Sequence, residues 1–311
     1  MGTILTVSGM TGGNGKTTVA VNLCAALALY EKKVLIVDCD PKASATLWLG
    51  KTDSPPGHNL SSMLKKTSAP ADAIIQTRLA WLDLVPADFT LFTTAQSLSG
   101  KTAGPIQLKQ ILDQHVRSRY DYIIIDAPSC CGSLSVMALT AGDGLIVPIN
   151  PNRTSDTDCQ YLFKLVNYIR KTYHTRLRIA GFVFNACKNS SDIQTVLAKK
   201  YFIRLSDLVF ETLIPEDLTV AKAFEHLVPV VLKDINSPAG KAFLQFAKEV
   251  DSIFSHHGQC HESRTCPEDL SAAETTSLKL VDIQERSSEK VKQLAASIAD
   301  MINEINQSEQ A

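Results

Sequence analysis

Residues 3–18 read Thr-Ile-Leu-Thr-Val-Ser-Gly-Met-Thr-Gly-Gly-Asn-Gly-Lys-Thr-Thr, and this stretch decides the fold. The branched and apolar residues 3–8 predict a buried β-strand, and the alanine-rich residues 19–28 predict a helix packed on a sheet. The glycine-rich loop between them ends in Lys-Thr-Thr. Such a loop binds phosphate because its backbone N–H groups and the positive end of the following helix face the anion. The sequence therefore predicts a strand, a phosphate loop and a helix in succession.

Each residue type in this loop has a chemical reason. The glycines permit a tight backbone path and close approach to phosphate oxygens. The ammonium group of Lys16 neutralises phosphate charge, and the hydroxyl of Thr17 is expected to ligate Mg²⁺. The predicted nucleotide-binding residues here are Thr11, Gly12, Gly13, Asn14, Gly15, Lys16, Thr17 and Thr18.

Strand-like runs alternate with helix-length segments along most of the chain. Several strands, such as residues 34–37 and 123–125, are almost entirely apolar, as a sheet buried on both faces requires. We therefore predict an α/β fold with a doubly wound, mostly parallel sheet and helices on both faces, in one domain over residues 1–254. The predicted strands are residues 3–8, 34–38, 82–85, 122–126, 144–149, 179–185 and 208–214.

The pattern changes near residue 255. Residues 255–279 are predicted to be a polar linker, and residues 280–311 a C-terminal helix whose apolar positions recur every three or four residues. This helix is too short for an independent coiled coil, so docking on the body, a second copy or a partner is expected. The His and Cys residues at 256–266 could bind a metal ion, but their spacing matches no standard zinc finger, and a linker is the simpler interpretation.

Composition limits the functional classes. The 311 residues are 45% hydrophobic with a net charge of −1. No apolar run approaches the roughly 20 residues that span a bilayer, and the sequence starts on a strand without a basic leader, so a cytoplasmic location is expected. Residues 164–204 carry nine basic residues against one acid, and residues 251–311 carry eleven acids against five bases. The basic stretch indicates either a polyanion-binding face or an ordinary solvated helix surface.

Acidic residues follow two predicted strands at the edge of the sheet where ligands bind in open α/β folds. Asp126 closes the run at 123–125 and is the expected Mg²⁺ carboxylate, together with Thr17. Asp38 and Asp40 follow the strand at 34–37, and Asp40 is the candidate that orients the attacking water. Helix capping or turn formation is the alternative role for these aspartates.

Several motifs in order resemble the ParA/MinD family of deviant Walker A ATPases, over most of residues 3–250. These are the phosphate loop at 11–18, the segment Val-Asp-Cys-Asp-Pro-Lys-Ala-Ser-Ala-Thr at 37–46, the segment Tyr-Asp-Tyr-Ile-Ile-Ile-Asp-Ala-Pro at 120–128, Ile-Pro-Glu-Asp at 214–217 and Val-Pro-Val at 228–230. The resemblance implies an ATP-driven sandwich dimer, a hydrolytic role for Asp40, and contacts to adenine from Asn185 and the loop of Pro215 and Asp217.

One position departs from that family. Members carry a signature lysine at the first position of the loop, where this sequence has Thr11. The carboxysome-positioning McdA subgroup is similar in lacking that lysine. Another cation is therefore expected, and Arg153 is our candidate, because it is the first basic residue after a strand whose carboxyl end should line the site.

The resemblance also suggests what the ATPase acts on. We expect a slow, partner-stimulated ATP hydrolase that needs Mg²⁺, forms a homodimer with ATP, and binds non-specific DNA through residues 164–204. The protein would then be nucleoid-associated and would position a plasmid, chromosome region or microcompartment through a small adaptor. The acidic tail disfavours membrane binding. The alternatives are a nucleotide-gated scaffold acting through its C-terminal helix, or a metallochaperone-like NTPase.

Overall fold

The computed structural model describes residues 1–50, 57–99, 104–129, 132–188 and 206–255. Within these ranges the chain forms one eight-stranded sheet with the order β3-β4-β2-β5-β1-β6-β7-β8. Neighbouring strands are parallel except for the antiparallel pair β3–β4. The strands are β1 (Thr3–Val7), β2 (Val34–Asp38), β3 (Ile75–Gln76), β4 (Leu82–Val85), β5 (Tyr122–Asp126), β6 (Gly144–Ile149), β7 (Arg178–Cys187) and β8 (Val209–Pro215).

Helices cover both faces of the sheet. The helices are α1 (Lys16–Leu29), α2 (Ser44–Trp48), α3 (Leu60–Lys65), α4 (Thr90–Leu98), α5 (Gln107–Ile111), α6 (Ser133–Ala141), α7 (Asp156–Tyr173), α8 (Leu218–Glu225), α9 (Val230–Lys233) and α10 (Pro238–Phe254). Helices α1, α2, α8, α9 and α10 pack on one face, and α3 to α7 pack on the other.

The two faces are built from alternate residues of the same strands. In β1, Leu5 and Val7 belong to the core under α1 and α10, whereas Ile4 belongs to the core under α3 to α6. All three are fully buried. This alternation follows from the two-residue period of a strand, and it explains why central strands that are covered twice need unbroken apolar runs.

The predicted fold class is confirmed. All seven predicted strands are present, and four of them, β2, β4, β5 and β6, have the predicted bounds. The sequence interpretation missed β3, which is only two residues long and lies antiparallel at the edge of the sheet. The predicted linker and C-terminal helix, after the end of α10, lie outside the described residues.

The topology brings one set of loops together. The strand order reverses beside β1, since the chain passes from β1 to β2 in one direction and from β5 to β6 in the other. The carboxyl ends of parallel strands at such a reversal form a crevice that binds ligands. The loops after β1, β2, β5 and β6 therefore meet at one edge.

Among the helices of the described ranges, none combines the length and the hydropathy that a membrane-spanning segment needs.

Candidate nucleotide site

The phosphate loop follows β1 and leads directly into α1. Gly13 and Gly15 have φ angles of 78° and 80°, a conformation that glycine adopts without the steric cost other residues meet. A β-carbon at Gly13 would lie 2.7 Å from Nη1 of Arg153, and one at Gly15 would collide with Nδ2 of Asn185. Gly12 differs, because a β-carbon there would meet no atom within 4 Å. The loop is therefore most constrained at Gly13 and Gly15.

The amino end of α1 is open toward this loop. Gly15 precedes the helix and provides no capping side chain, so no cap competes with an anion for the first N–H groups of α1. Lys16 is only 5% exposed, and its Nζ donates a 2.7 Å hydrogen bond to the carbonyl oxygen of Thr11. The lysine thus closes the loop onto its own first residue. Thr17 and Thr18 follow it in the first turn of α1.

Two buried aspartates lie side by side at the ends of neighbouring strands. Asp38 ends β2 and Asp126 ends β5, and they are partners in the register of the sheet. Burial raises the pKa of Asp38 to about 6, although the backbone N–H and hydroxyl of Thr46 both donate to its carboxylate. Burial also raises the pKa of Asp126 well above its usual value, and the charge of Asp38 adds to the rise. The pair therefore holds protons more tightly than exposed carboxylates do.

Asp126 has the properties of a metal-binding carboxylate. Both of its side-chain oxygens are buried, and neither has a hydrogen bond of regular geometry. The hydroxyl of Thr17 and the ammonium group of Lys16 lie near enough to oppose the rise of its pKa. A buried carboxylate without partners is costly, and a cation removes that cost. Because Mg²⁺ prefers carboxylate and hydroxyl oxygens, Thr17 and Asp126 fit this ion.

Asp40 lies at the mouth of the same acidic group. Its backbone N–H donates to Oδ1 of Asp38 at 3.1 Å, and its own Oδ1 accepts from the backbone N–H of Lys42 at 2.9 Å. Unlike Asp38 and Asp126, it is only half-buried. A carboxylate in that position can reach a water molecule that enters the crevice from solvent.

The loop between β6 and α7 contacts the phosphate loop from the other side. The guanidinium group of Arg153 lies against Gly13, although Arg153 is exposed overall. The next residue, Thr154, is 6% exposed and accepts a 2.9 Å hydrogen bond from Nδ2 of Asn14. The structure thus brings Arg153 to the phosphate loop of its own chain.

The first residue of the phosphate loop also faces this second loop. The hydroxyl of Thr11 is among the groups that act on Asp158 in the first turn of α7. Burial alone would raise the pKa of Asp158, but hydrogen bonds from the backbone N–H and hydroxyl of Ser155, together with the nearby hydroxyl of Thr11, outweigh it and lower the pKa. Ser155 and Asp158 form the capping box that starts α7. Thr11, which stands where the family carries its signature lysine, is therefore close to the carboxylate of Asp158.

The predicted adenine-side residues divide into two groups. Asn185 is 6% exposed and donates from Nδ2 to the carbonyl oxygen of Asn14 at 3.0 Å, so it lies at the phosphate loop. Pro215 ends β8 and is half-buried. Asp217 accepts the N–H of Thr219 with one oxygen and that of Ala239 with the other. In this structure Asp217 therefore joins the start of α8 to the start of α10.

Sequence reasoning assigned no role to three residues that organise the site. Thr46 holds Asp38 and also accepts the N–H of Ala87 at 3.0 Å. Thr154 holds Asn14, and Asn22 of α1 accepts the N–H of Val230 at 2.7 Å. Thr46 belongs to the motif that carries Asp38, so its position gave a signal. Thr154 and Asn22 are common polar residues in ordinary contexts, and nothing in the sequence distinguishes them.

The basic stretch is only partly described, because residues 189–204 are outside the described ranges. Lys164 and Lys171 are exposed on α7, and Nζ of Lys164 lies 5.5 Å from the ring centre of the exposed Tyr161. Arg170 turns inward and donates to the carbonyl oxygen of Leu177. Lys188 pairs with Glu216 at 3.3 Å. The outer face of α7 therefore carries two exposed lysines, one of which lies over an aromatic ring.

No described group of three or more His, Cys, Asp or Glu residues has an arrangement that could hold a metal ion by itself. The His and Cys cluster at residues 256–266 lies outside the described part of the chain.

Comparison with known proteins gives a consistent result. The AAA_31 family model, an AAA domain, matches residues 2–179. The sporulation initiation inhibitor protein Soj of Bacillus subtilis is 34% identical over 253 residues, which cover 80% of this chain and 98% of Soj. The chromosome partitioning protein ParA of Caulobacter vibrioides is 29% identical over 250 residues, covering 80% of this chain and 94% of ParA.

Solved structures show the same fold. A McdA variant from Cyanothece, solved as a complex with ATP, superimposes with a TM-score of 0.71 and 24% identity. The match covers 81% of this chain and 97% of that structure. At this identity the likeness establishes the architecture, and the ATP is a ligand of that McdA variant.

Proposed function

This chain belongs to the ParA/MinD family of P-loop partitioning ATPases, and from that premise we propose the following function. The protein is a Mg²⁺-dependent ATPase whose ATP-bound form is a sandwich dimer. The dimer binds DNA non-specifically, and a small adaptor links it to an intracellular cargo that it positions or segregates.

The observation that carries this proposal is the convergence of cations and acids at one edge of the sheet. Lys16 closes the phosphate loop and Arg153 lies against Gly13 of that loop, while Asp126 and Asp40 end or follow strands β5 and β2 at the same edge. Phosphoryl transfer depends mainly on positioning and on stabilising the charge of the phosphate oxygens. A structural loop without nucleotide chemistry would not need the buried carboxylate of Asp126, whose oxygens make no hydrogen bond of regular geometry to the described residues.

Each of these residues has a proposed role. Lys16 neutralises phosphate charge, and Thr17 with Asp126 holds Mg²⁺. The ion, when bound, supplies positive charge to the phosphate oxygens. Asp40 orients the attacking water, which suits its position at the mouth of the crevice. Arg153 supplies the second cation that Thr11 cannot, and its contact with Gly13 of the same chain supports delivery of that charge within one subunit.

The base side is proposed to use Asn185 and Pro215. Asn185 lies at the phosphate loop, and Pro215 ends the neighbouring strand at the same edge. The role of Asp217 is narrower than the resemblance implied, since both of its oxygens already accept backbone N–H groups. We therefore assign it to shaping the adenine-side loop through α8 and α10.

Nucleoid DNA is the proposed polyanion, and the outer face of α7 is the part of the basic stretch that supports it. Lys164 and Lys171 are exposed there and can contact phosphates without breaking an existing ion pair. Such contacts release counterions, so affinity should fall steeply with salt. Relatives named for chromosome partitioning and sporulation control support a cargo that is DNA or is moved over DNA.

Two measurements on the full chain test the proposal. Phosphate release is followed with Mg²⁺ and ATP, with and without unrelated DNA, for wild type and Lys16→Ala. Retention on DNA is followed over a salt titration with ATP or ADP. We expect turnover and ATP-dependent, salt-sensitive retention in wild type only. Retention without turnover would instead support the nucleotide-gated scaffold, and the absence of both would reject the proposed function.

A further inference from the structure

A single side-chain contact connects the phosphate loop to the loop that carries Arg153. Nδ2 of Asn14 donates to Oγ1 of Thr154 at 2.9 Å, and the two residues are 2% and 6% exposed. The carbonyl oxygen of Asn14 is held separately by Asn185 at 3.0 Å. Asn14 is thus held by its main chain on one side and by its side chain on the other. We call the Asn14–Thr154 hydrogen bond the latch.

The latch acts on a compact turn. The N–H groups of Arg153 and Thr154 both donate to the carbonyl oxygen of Asn150, at 3.0 Å and 2.9 Å. The N–H of Asn150 donates back to Oγ1 of Thr154 at 3.2 Å. The hydroxyl oxygen of Thr154 therefore accepts one hydrogen bond from the turn and another from the phosphate loop. Because Arg153 precedes Thr154 directly, fixing Thr154 limits where the arginine backbone can be.

The side chain of Arg153 makes few contacts of its own with the described residues. Arg153 is exposed, and its contact with the phosphate loop is with Gly13, which has no side chain. A long side chain on a free loop would sample many orientations, and ordering it costs conformational entropy. A buried hydrogen bond at the adjacent residue reduces that cost before nucleotide binds, as preorganised catalytic groups require.

Filling space does not explain why an asparagine occupies position 14. Its Oδ1 is buried and has no hydrogen-bond partner among the described residues, so the side chain loses hydration at one atom. An apolar residue would fill the same space without that loss. The hydrogen bond from Nδ2 is what an asparagine provides here and an apolar residue does not.

From this arrangement we infer that the Asn14–Thr154 latch positions Arg153 at the phosphate loop. Asn14 and Thr154 are positioning residues, and they act on hydrolysis through the arginine. The inference rests on the proposed function of Arg153 as the second cation. It gives a role in positioning to Asn14, predicted above only as part of the phosphate loop, and to Thr154, which had no predicted role.

The first test needs no turnover. Hydrogen exchange of the amides at residues 150–154 is measured by mass spectrometry in the full chain without nucleotide. Thr154→Val and Asn14→Leu remove the latch while keeping the number of side-chain heavy atoms, and Thr154→Ser keeps the hydroxyl. Thr140→Val is the matched control, since Thr140 is a fully buried threonine that bonds only to its own helix α6.

We expect exchange about tenfold faster in Asn14→Leu and Thr154→Val, which corresponds to the loss of one buried hydrogen bond. Thr154→Ser and Thr140→Val should exchange like wild type. If Asn14→Leu leaves the exchange of residues 150–154 unchanged, the latch does not hold this turn and the inference is wrong.

The second test asks whether the latch works through Arg153. Thr154→Val should lower kcat about tenfold while nucleotide affinity stays within about twofold, and Thr154→Ser should recover the rate. In the Arg153→Ala background, Thr154→Val should cost nothing further, because the group it positions is gone. Equal losses in both backgrounds would overturn the inference.

The two tests separate this inference from the proposed function. Wild-type protein without any turnover would reject the proposed hydrolase, and the exchange measurement would still decide whether the latch exists. Turnover in wild type together with additive losses would keep the hydrolase and reject the positioning role.

Discussion

Replacing Arg153 with alanine should slow ATP turnover by about 30-fold. A unit charge about 4 Å from a phosphate oxygen contributes ~4 kcal/mol at an effective dielectric constant of ~20. Arg153 is exposed, so solvent screening reduces this to about 2 kcal/mol. If this energy stabilises only the transition state and not the bound ATP, its loss corresponds to the predicted 30-fold decrease in turnover.

The assay is phosphate release from saturating Mg²⁺ and ATP, with nucleotide affinity measured in parallel. Arg119→Ala is the control, because Arg119 is also exposed but precedes β5 at the opposite end of the sheet. The control should turn over ATP like wild type. Nucleotide affinity of Arg153→Ala should fall only a fewfold, since Lys16 and the backbone of the phosphate loop remain.

A second variant distinguishes loss of charge from damage to the loop. Thr11→Lys combined with Arg153→Ala supplies a cation from the position that the family uses, and it should regain most of the lost rate. The reasoning is refuted if Arg153→Ala alone dimerises and hydrolyses ATP at the wild-type rate. A loss that Arg119→Ala shares would point to net charge and not to the position of Arg153.

Three further predictions test separate parts of the molecule. Gly13→Ala should lower the free energy of unfolding by about 1–2 kcal/mol in urea titrations, because of its positive φ and the nearby arginine, whereas Gly12→Ala should stay within about 0.5 kcal/mol. The folded-state pKa of Asp38 is raised to about 6 from 3.8, and the pKa of its neighbour Asp126 is raised as well. The unfolding free energy without nucleotide or Mg²⁺ should therefore fall by at least about 1 kcal/mol from pH 5 to pH 7, and Asp38→Asn should make this fall smaller. Lys164→Gln and Lys171→Gln should each weaken ATP-dependent DNA retention and reduce its salt slope by about 1.

The sequence predicted the central fold well, because local chemistry and burial agree there. Residues 34–37, 123–125 and 145–149 are apolar runs that a doubly covered sheet can bury, and the predicted bounds of β2, β4, β5 and β6 match the structure. The phosphate loop was equally readable, since glycine positions and Lys-Thr-Thr report a backbone path directly. The short strand β3 carried no such pattern and depends on its pairing with β4.

The parts that escaped prediction depend on contacts between distant segments. Asn14 and Thr154 are separated by 140 residues in the chain, so no local pattern pairs them. Arg153 was selected by its place after β6, but the sequence could not tell which subunit's loop it would face. Asp217 looked like a ligand from its motif, and only the tertiary contact with Ala239 shows that its second oxygen is already used.

Moving the second cation from the phosphate loop to Arg153 changes which element can respond to ATP. A lysine at position 11 would stand in the phosphate loop that leads into α1. Arg153 stands instead two residues before Ser155, which caps the 18-residue helix α7. The same helix exposes Lys164 and Lys171. If ATP draws Arg153 inward, we expect the start of α7 to follow, and Lys164 and Lys171, the DNA contacts of the proposed function, to move with it. Linkage then requires that DNA raise ATP affinity by the same factor by which ATP raises DNA affinity. ATP affinity measured with and without DNA, and DNA affinity measured with and without ATP, should change by the same factor in wild type. In Arg153→Ala both factors should be close to one. Equal coupling in both proteins would show that the signal reaches α7 by another route.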